Sequence, residues 1–174
     1  MKATLTLLFA VATLQGLGAD RPLSLWSLLS SNPGVAWGKS ADGLRVGISC
    51  DTATTDARGL PKIFFHVAND GDREIKGVIQ SGEKCVVTVN GRHYAQESYG
   101  GISSWMPPGR KYGPIPIDTE KIRQIPDLQA FQKWRSISES AVRPELQNGT
   151  NTVSVHYRLG TNLVESGEIK VVAK

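Results

Sequence analysis

Apolar and polar residues alternate along several short stretches of this chain, which is the pattern of strands with one buried face. The alternation is strict in residues 44–50, is also present in 62–68, 152–158 and 168–172, and is weaker in 76–80. The residues predicted to point inward are Leu44, Val46, Ile48, Cys50, Ile63, Phe65, Val67, Val153, Val155, Tyr157, Ile169 and Val171. Each stretch is bounded by Gly, Pro, Asn or Asp, so we expect short strands joined by turns.

The dipeptide Asn90-Gly91 lies between two β-prone runs and predicts a two-residue type I′ hairpin, because both turn residues must accept positive φ. A two-residue loop also fixes the register of the two strands. The predicted pairs are Val89 with Arg92, Thr88 with His93, Val87 with Tyr94, and Cys85 with Gln96. In this register Cys85, Val87 and Tyr94 share the inner face, and Thr88 and His93 share the outer face.

The segment between this hairpin and the last strands has a less regular pattern. Residues 98–113 are rich in Gly, Ser and Pro and are predicted to form a long irregular loop, followed by a short strand at Ile115 and Ile117. Apolar residues then recur at every third position, which predicts a short helix from Pro126 or Asp127 to Arg135. Six or seven short strands with at most one helix are typical of a two-sheet sandwich.

Three stretches carry a resemblance to a known class of domain. They are Trp37-Gly38 with 42–48, the strand and turn at 65–72, and 146–150 followed by 153–157. From Trp37 to Val172 the chain resembles immunoglobulin-like domains of secreted bacterial proteins of unknown function. The resemblance implies an all-β, immunoglobulin-like antiparallel β-sandwich and implies no particular activity.

The first nineteen residues have the features of a cleaved signal peptide. Lys2 precedes an apolar run from Thr4 to Leu14, and small residues follow up to Ala19. The run is shorter than the roughly 20 residues of a spanning helix, so we expect no stable membrane span after cleavage. The expected organisation is a signal peptide at 1–19, a lead-in segment at 20–36 and the β-sandwich at 37–174, in a secreted or periplasmic protein.

The charge of the chain bears on whether it binds nucleic acid, and its cysteine content bears on whether it contains a disulfide. The chain has 20 Lys and Arg against 16 Asp and Glu, and the basic residues are scattered, so we do not expect nucleic-acid binding. Its two cysteines, Cys50 and Cys85, are predicted to form one disulfide, because exported proteins meet an oxidising compartment.

The sequence has no motif of a catalytic nucleophile, and we predict neither a metal nor a cofactor. His66, His93 and His156 each fall on the outward face of a predicted strand. Imidazoles on neighbouring strands could converge on one metal ion, but outward positions are also where polar residues ordinarily lie. A metal-binding protein or hydrolase built around these three histidines is therefore an alternative to a non-catalytic module.

The best candidates for ligand binding are four large side chains of the irregular segment, Tyr99, Trp105, Met106 and Tyr112. Such side chains offer contact area to sugars, peptides or partner proteins, although they could instead fold back onto the end of the sandwich. We expect a secreted, non-catalytic binding or structural module whose partner is a protein or a carbohydrate. The first alternative is a carbohydrate-binding module, which a solvent-facing row of aromatic rings would favour.

Overall fold

The computed structural model describes residues 34–56, 59–96, 103–133 and 142–174, and more than half of these described residues lie in β-strands. The predicted signal peptide and nearly all of the lead-in segment lie outside these ranges. None of the helices within them has the length and apolar content needed to cross a membrane.

The elements are short and follow one another closely. In chain order they are β1 (Ala36–Trp37), β2 (Leu44–Cys50), β3 (Thr54–Thr55), β4 (Ile63–Asn69), β5 (Ile75–Ile79), a 3₁₀ turn (Gly82–Lys84), β6 (Cys85–Val89), β7 (Arg92–Ala95), β8 (Ser103–Met106), β9 (Lys111–Ile117), β10 (Arg123–Ile125), α1 (Leu128–Lys133), β11 (Gly149–Leu159), β12 (Asn162–Glu165) and β13 (Ile169–Ala173).

The strands form three sheets. Sheet A has the order β1-β2-β4-β9, and sheet B has the order β10-β7-β6-β11-β13-β3 with β12 paired to β11. Sheet C consists of β5 and β8. All of these pairings are antiparallel except that of β3 with β13. The expected all-β class with antiparallel sheets is therefore confirmed.

Sheets A and B contribute to one hydrophobic core, which contains the inward residues that the alternation predicts. The Phe65 ring of β4 stacks on the Tyr157 ring of β11, with 5.7 Å between the ring centroids. Both side chains are fully buried, as are Val46 and Val155. Burying an aliphatic or aromatic side chain of this kind contributes about 1.5–3 kcal/mol, so these faces hold the two sheets together.

The hairpin forms at Asn90-Gly91, with φ of 48° and 79° at the two turn residues. Its strands pair in the predicted register from Val89–Arg92 to Thr88–His93 and Val87–Tyr94. Pairing ends at Val86–Ala95, so the predicted Cys85–Gln96 pair is not part of this ladder.

The structure corrects the prediction of a long irregular loop at 98–113. Residues 103–106 form β8, and residues 111–117 form β9 at an edge of sheet A. The strand signature of β9 is hidden by Gly113, Pro114 and Pro116, which are residues typical of loops. The strand still forms, because proline suits an edge strand that needs fewer backbone donors. No strand is predicted at β12 either, because its four residues are too few for a clear alternation.

Cys50 and Cys85 are free thiols, which corrects the predicted disulfide. Cys50 ends β2 in sheet A and Cys85 begins β6 in sheet B, and both belong to the hydrophobic core. Burial raises the pKa of each thiol, well above its ordinary value at Cys85. Each cysteine therefore acts here as a small apolar core residue that stays protonated.

The predicted helix forms as α1, while residues 134–135 of the prediction lie outside the described ranges. A second apolar cluster joins it to sheet B: Val86, Ala95, Ile125 and Phe131, with Leu128 and Leu163 packed against them. Of the apolar residues spaced three apart, Ile125, Leu128 and Phe131 belong to this cluster, whereas Ile122 belongs to the main core.

Candidate functional site

Of the three predicted ligand-binding residues that the structure describes, Trp105 is the one most open to solvent. Its side chain is 61% exposed, whereas Met106 is completely buried in the core. Adjacent residues of a strand point to opposite faces, so β8 can present Trp105 outward only by turning Met106 inward. Met106 is therefore a core residue, which corrects its prediction as a ligand contact. Tyr112 is half-buried, and Tyr99 lies outside the described residues.

The strand that carries Trp105 is held from two sides. On β5, Ile75 pairs with Met106 and the Val78 carbonyl accepts a hydrogen bond from Ser104 Oγ at 3.0 Å. On β4, the side-chain amide of Asn69 donates to the Met106 carbonyl at 2.8 Å. The position of Trp105 is thus set by both sheet C and sheet A.

Lys76 and Tyr112 contact Trp105, and Arg110 in turn lies beside Tyr112. Lys76 Nζ lies 5.0 Å from the centre of the Trp105 ring, a separation typical of a cation–π interaction. The Tyr112 hydroxyl donates to the Trp105 carbonyl at 3.3 Å, and the Arg110 guanidinium lies 5.8 Å from the centre of the Tyr112 ring.

A third ring, Trp37 of β1, was not predicted as a site residue. It packs on the outer face of β2, where a Cβ at Gly47 would lie 2.8 Å from Trp37 Cε3. Arg45 and Lys111 lie 4.9 and 5.9 Å from its ring centre, and the His66 ring centroid is 6.1 Å away. Little in the sequence points to this group, because its members lie on four different strands.

We name these seven residues the ring–cation surface: Trp37, Arg45, Lys76, Trp105, Arg110, Lys111 and Tyr112. Its two parts lie on different faces of sheet A, because Lys111 and Tyr112 are neighbours on β9: Lys111 approaches Trp37 on the outer face, while Tyr112 packs against the core and its hydroxyl reaches the Trp105 carbonyl. Arg45 Nε lies 2.6 Å from Asp70 Oδ2, whereas Lys76, Arg110 and Lys111 have no salt bridge to any residue that the structure describes. The surface therefore combines three rings with an excess of positive charge.

A groove of about 590 Å³ opens beside Trp37, between the β1–β2 connection and β12. Besides Trp37, it is lined by Lys39, Ser40, Glu165 and Glu168, among others. The two carboxylates make this groove less favourable to an anion than the ring–cation surface is.

The three histidines do not converge on one point. His66 belongs to sheet A, where its Nε2 lies 2.8 Å from Ser49 Oγ, whereas His93 and His156 belong to sheet B. Within the described ranges, no group of three or more His, Cys, Asp or Glu side chains is arranged to hold a metal ion. The alternative of a site built jointly by His66, His93 and His156 is thus incompatible with this geometry.

Sheet B does bring two of them together. The rings of His93 and His156 meet edge to face, 6.1 Å apart, and His156 Nε2 lies 3.7 Å from Glu165 Oε1. Burial lowers the pKa of His156, Glu165 opposes this shift and His93 adds to it. Burial also lowers the pKa of His66. Both imidazoles therefore favour their neutral form at neutral pH.

Comparison with known proteins finds neither a protein-family model nor a curated protein that matches this chain. The fold and the site define it as an all-β protein with antiparallel sheets and a surface of aromatic rings and cations.

Proposed function

We propose that this chain is an exported, non-catalytic module that binds carbohydrate on its ring–cation surface. The observation that carries the proposal is the 61% exposure of Trp105 on a strand whose position is fixed from two sides. A large ring that is held open to water loses the hydrophobic stabilisation that burial would provide. Its exposure is best explained by a partner that covers it.

A sugar suits such a ring, because the C–H groups on one side of a pyranose form a flat apolar face while its hydroxyls point outward. Trp105 offers the ring, and the Tyr112 side chain and the nearby Lys76 ammonium offer polar groups at its border. Rings with polar borders are the common composition of binding surfaces that need area at little entropic cost.

The fold and the location belong to the same proposal. Two antiparallel sheets that share one core are compatible with an immunoglobulin-like β-sandwich, as the resemblance implies. Lys2 and the apolar run to Leu14 support cleavage after Gly18 or Ala19 and a secreted or periplasmic location. Expression with the complete N-terminus, followed by mass spectrometry of the exported product, tests the cleavage.

Affinity electrophoresis of the chain from Asp20 onward, in gels containing a panel of neutral and acidic polysaccharides, tests the binding. At least one polysaccharide should retard the protein, and Trp105→Ala should weaken that retardation about ten-fold or more. Val142→Ala is the matched control, because Val142 is another apolar residue with 61% exposure. The proposal is wrong if no polysaccharide retards the protein or if Trp105→Ala migrates like the parent chain.

A further inference from the structure

We infer that the carbohydrate bound by the ring–cation surface is an acidic one, a polyuronate, in which each sugar carries a carboxylate. This inference rests on the proposed function and names the chemical class of its ligand. It follows from the charges that accompany the aromatic rings.

Each ring of the surface has a cation beside it. Lys76 Nζ is 5.0 Å from the Trp105 centroid, and the Arg110 guanidinium is 5.8 Å from that of Tyr112. Trp37 has Arg45 at 4.9 Å, with Lys111 further out at 5.9 Å. A neutral sugar would need the rings but would gain little from the cations.

Three of these cations are available to a ligand. Lys76, Arg110 and Lys111 are exposed, and none of them has a salt bridge to a residue within the described ranges. Arg45 is the exception, because Asp70 lies 2.6 Å from its Nε. An anionic polymer would therefore meet uncompensated positive charge along the surface, and ion pairs formed there would lose little to competing carboxylates.

A uronate residue combines the two groups that this surface recognises. Its pyranose face can stack on an aromatic ring while its carboxylate reaches the neighbouring ammonium or guanidinium. The ring–cation unit occurs at two adjacent positions, Trp105 with Lys76 and Tyr112 with Arg110, which matches neighbouring acidic sugars of one polymer. A nucleic acid fits less well, because its binding proteins typically neutralise about six to ten phosphates and this surface has three uncompensated cations.

The test compares polygalacturonate with the same polymer after methyl esterification, which removes the charge and keeps the sugar ring. Isothermal titration calorimetry with the chain from Asp20 onward should give about ten-fold tighter binding to the charged polymer, and the difference should shrink at 0.5 M NaCl. Single-stranded DNA is the third ligand, and binding to it should be weaker than binding to polygalacturonate.

The double variant Lys76→Gln/Arg110→Gln should lose about five- to twenty-fold in affinity for polygalacturonate. Its matched control is Lys62→Gln/Lys170→Gln, which removes two exposed lysines outside the ring–cation surface and should change the affinity less than two-fold. Circular dichroism establishes that both variants keep the parent fold before binding is compared.

The possible failures are distinguishable. Equal binding of the charged and esterified polymers, with Trp105→Ala still defective, would overturn the acidic ligand and leave the proposed function standing. DNA binding as tight as that of polygalacturonate would overturn the polyuronate as the occupant. Absence of binding to every polysaccharide would overturn both proposals.

Discussion

Asn69 on β4 donates a hydrogen bond from Nδ2 to the backbone carbonyl of Met106 on β8, at 2.8 Å. The same amide donates to the Arg73 carbonyl at 2.8 Å, and Asn69 Oδ1 accepts from the Gly71 N–H at 3.0 Å. Asn69 is completely buried. One side chain thus satisfies three backbone groups, joins sheet A to sheet C and holds the strand that exposes Trp105.

Removing this amide should destabilise the fold. Asn69→Ala leaves three backbone groups without their partner, and we expect a loss of about 2–4 kcal/mol in the free energy of unfolding. Urea denaturation followed by tryptophan fluorescence measures it. Asn162→Ala is the control, because Asn162 is exposed and its side-chain contact with Asp42 at 3.3 Å should be worth less than about 0.5 kcal/mol. A loss no larger than that of the control would contradict the role assigned to Asn69.

The neighbours Trp105 and Met106 should separate binding from stability. Met106→Ala removes a buried core side chain and should cost about 2–5 kcal/mol. Trp105→Ala removes an exposed ring and its contact with Lys76, which should cost no more than about 1 kcal/mol. Thermal unfolding of the two variants checks this difference. Equal losses would mean that Trp105 serves the core rather than a ligand.

Acid should destabilise the protein through two histidines. Burial lowers the pKa of His66 and of His156 below the ordinary value of 6.5. Below pH 6.5 the unfolded chain therefore binds more protons than the folded chain. The contribution of these histidines is present in full above pH 6.5 and declines as the pH falls toward the lowered values. The slope approaches about 1.4 kcal/mol per pH unit for each histidine at most. Urea denaturation at pH values from 7.5 to 5 gives this slope of unfolding free energy against pH.

The variants His66→Gln and His156→Gln assign this slope. Each substitution should lower the slope of unfolding free energy against pH by at most the contribution of one proton, about 1.4 kcal/mol per pH unit, because glutamine does not titrate. The part of the slope that His156 contributes also depends on the facing Glu165, because the charge of Glu165 favours the protonated imidazole. If the slope between pH 7 and pH 5 is the same in both variants as in the parent chain, these histidines do not control the acid response.

The cysteines should react as buried thiols. Because Cys50 and Cys85 lie in the core and burial raises the pKa of both, iodoacetamide should modify neither in the native protein within minutes at pH 8. In guanidinium chloride without a reductant, mass spectrometry should find two alkylated thiols. An exported protein that yields no alkylated cysteine under those conditions would instead contain the disulfide that the sequence predicts.

Strand prediction succeeded where apolar and polar residues alternate, and failed where glycine and proline interrupt that alternation. The inward faces of β2, β4 and β11 follow from period-two patterns, and the hairpin register follows from Asn90-Gly91. The strand β8 was missed, and of β9 only the part at Ile115 and Ile117 was predicted, because glycine and proline around and within these strands resemble a loop. Their pairing depends on partners far along the chain, such as β5 and β4.

Local physical chemistry explains what the sequence determined by itself: the all-β class, the buried faces, the turn at Asn90-Gly91 and Trp105 as a candidate ligand contact. These depend on side-chain alternation and on backbone conformations that only nearby residues control. The tertiary structure alone decided that Met106 is buried while Trp105 is open, that Arg45 and Lys111 lie near the Trp37 ring, and that His66 is separated from His93 and His156. Each depends on which strands become neighbours, and that is set by packing two sheets around one core rather than by any local pattern.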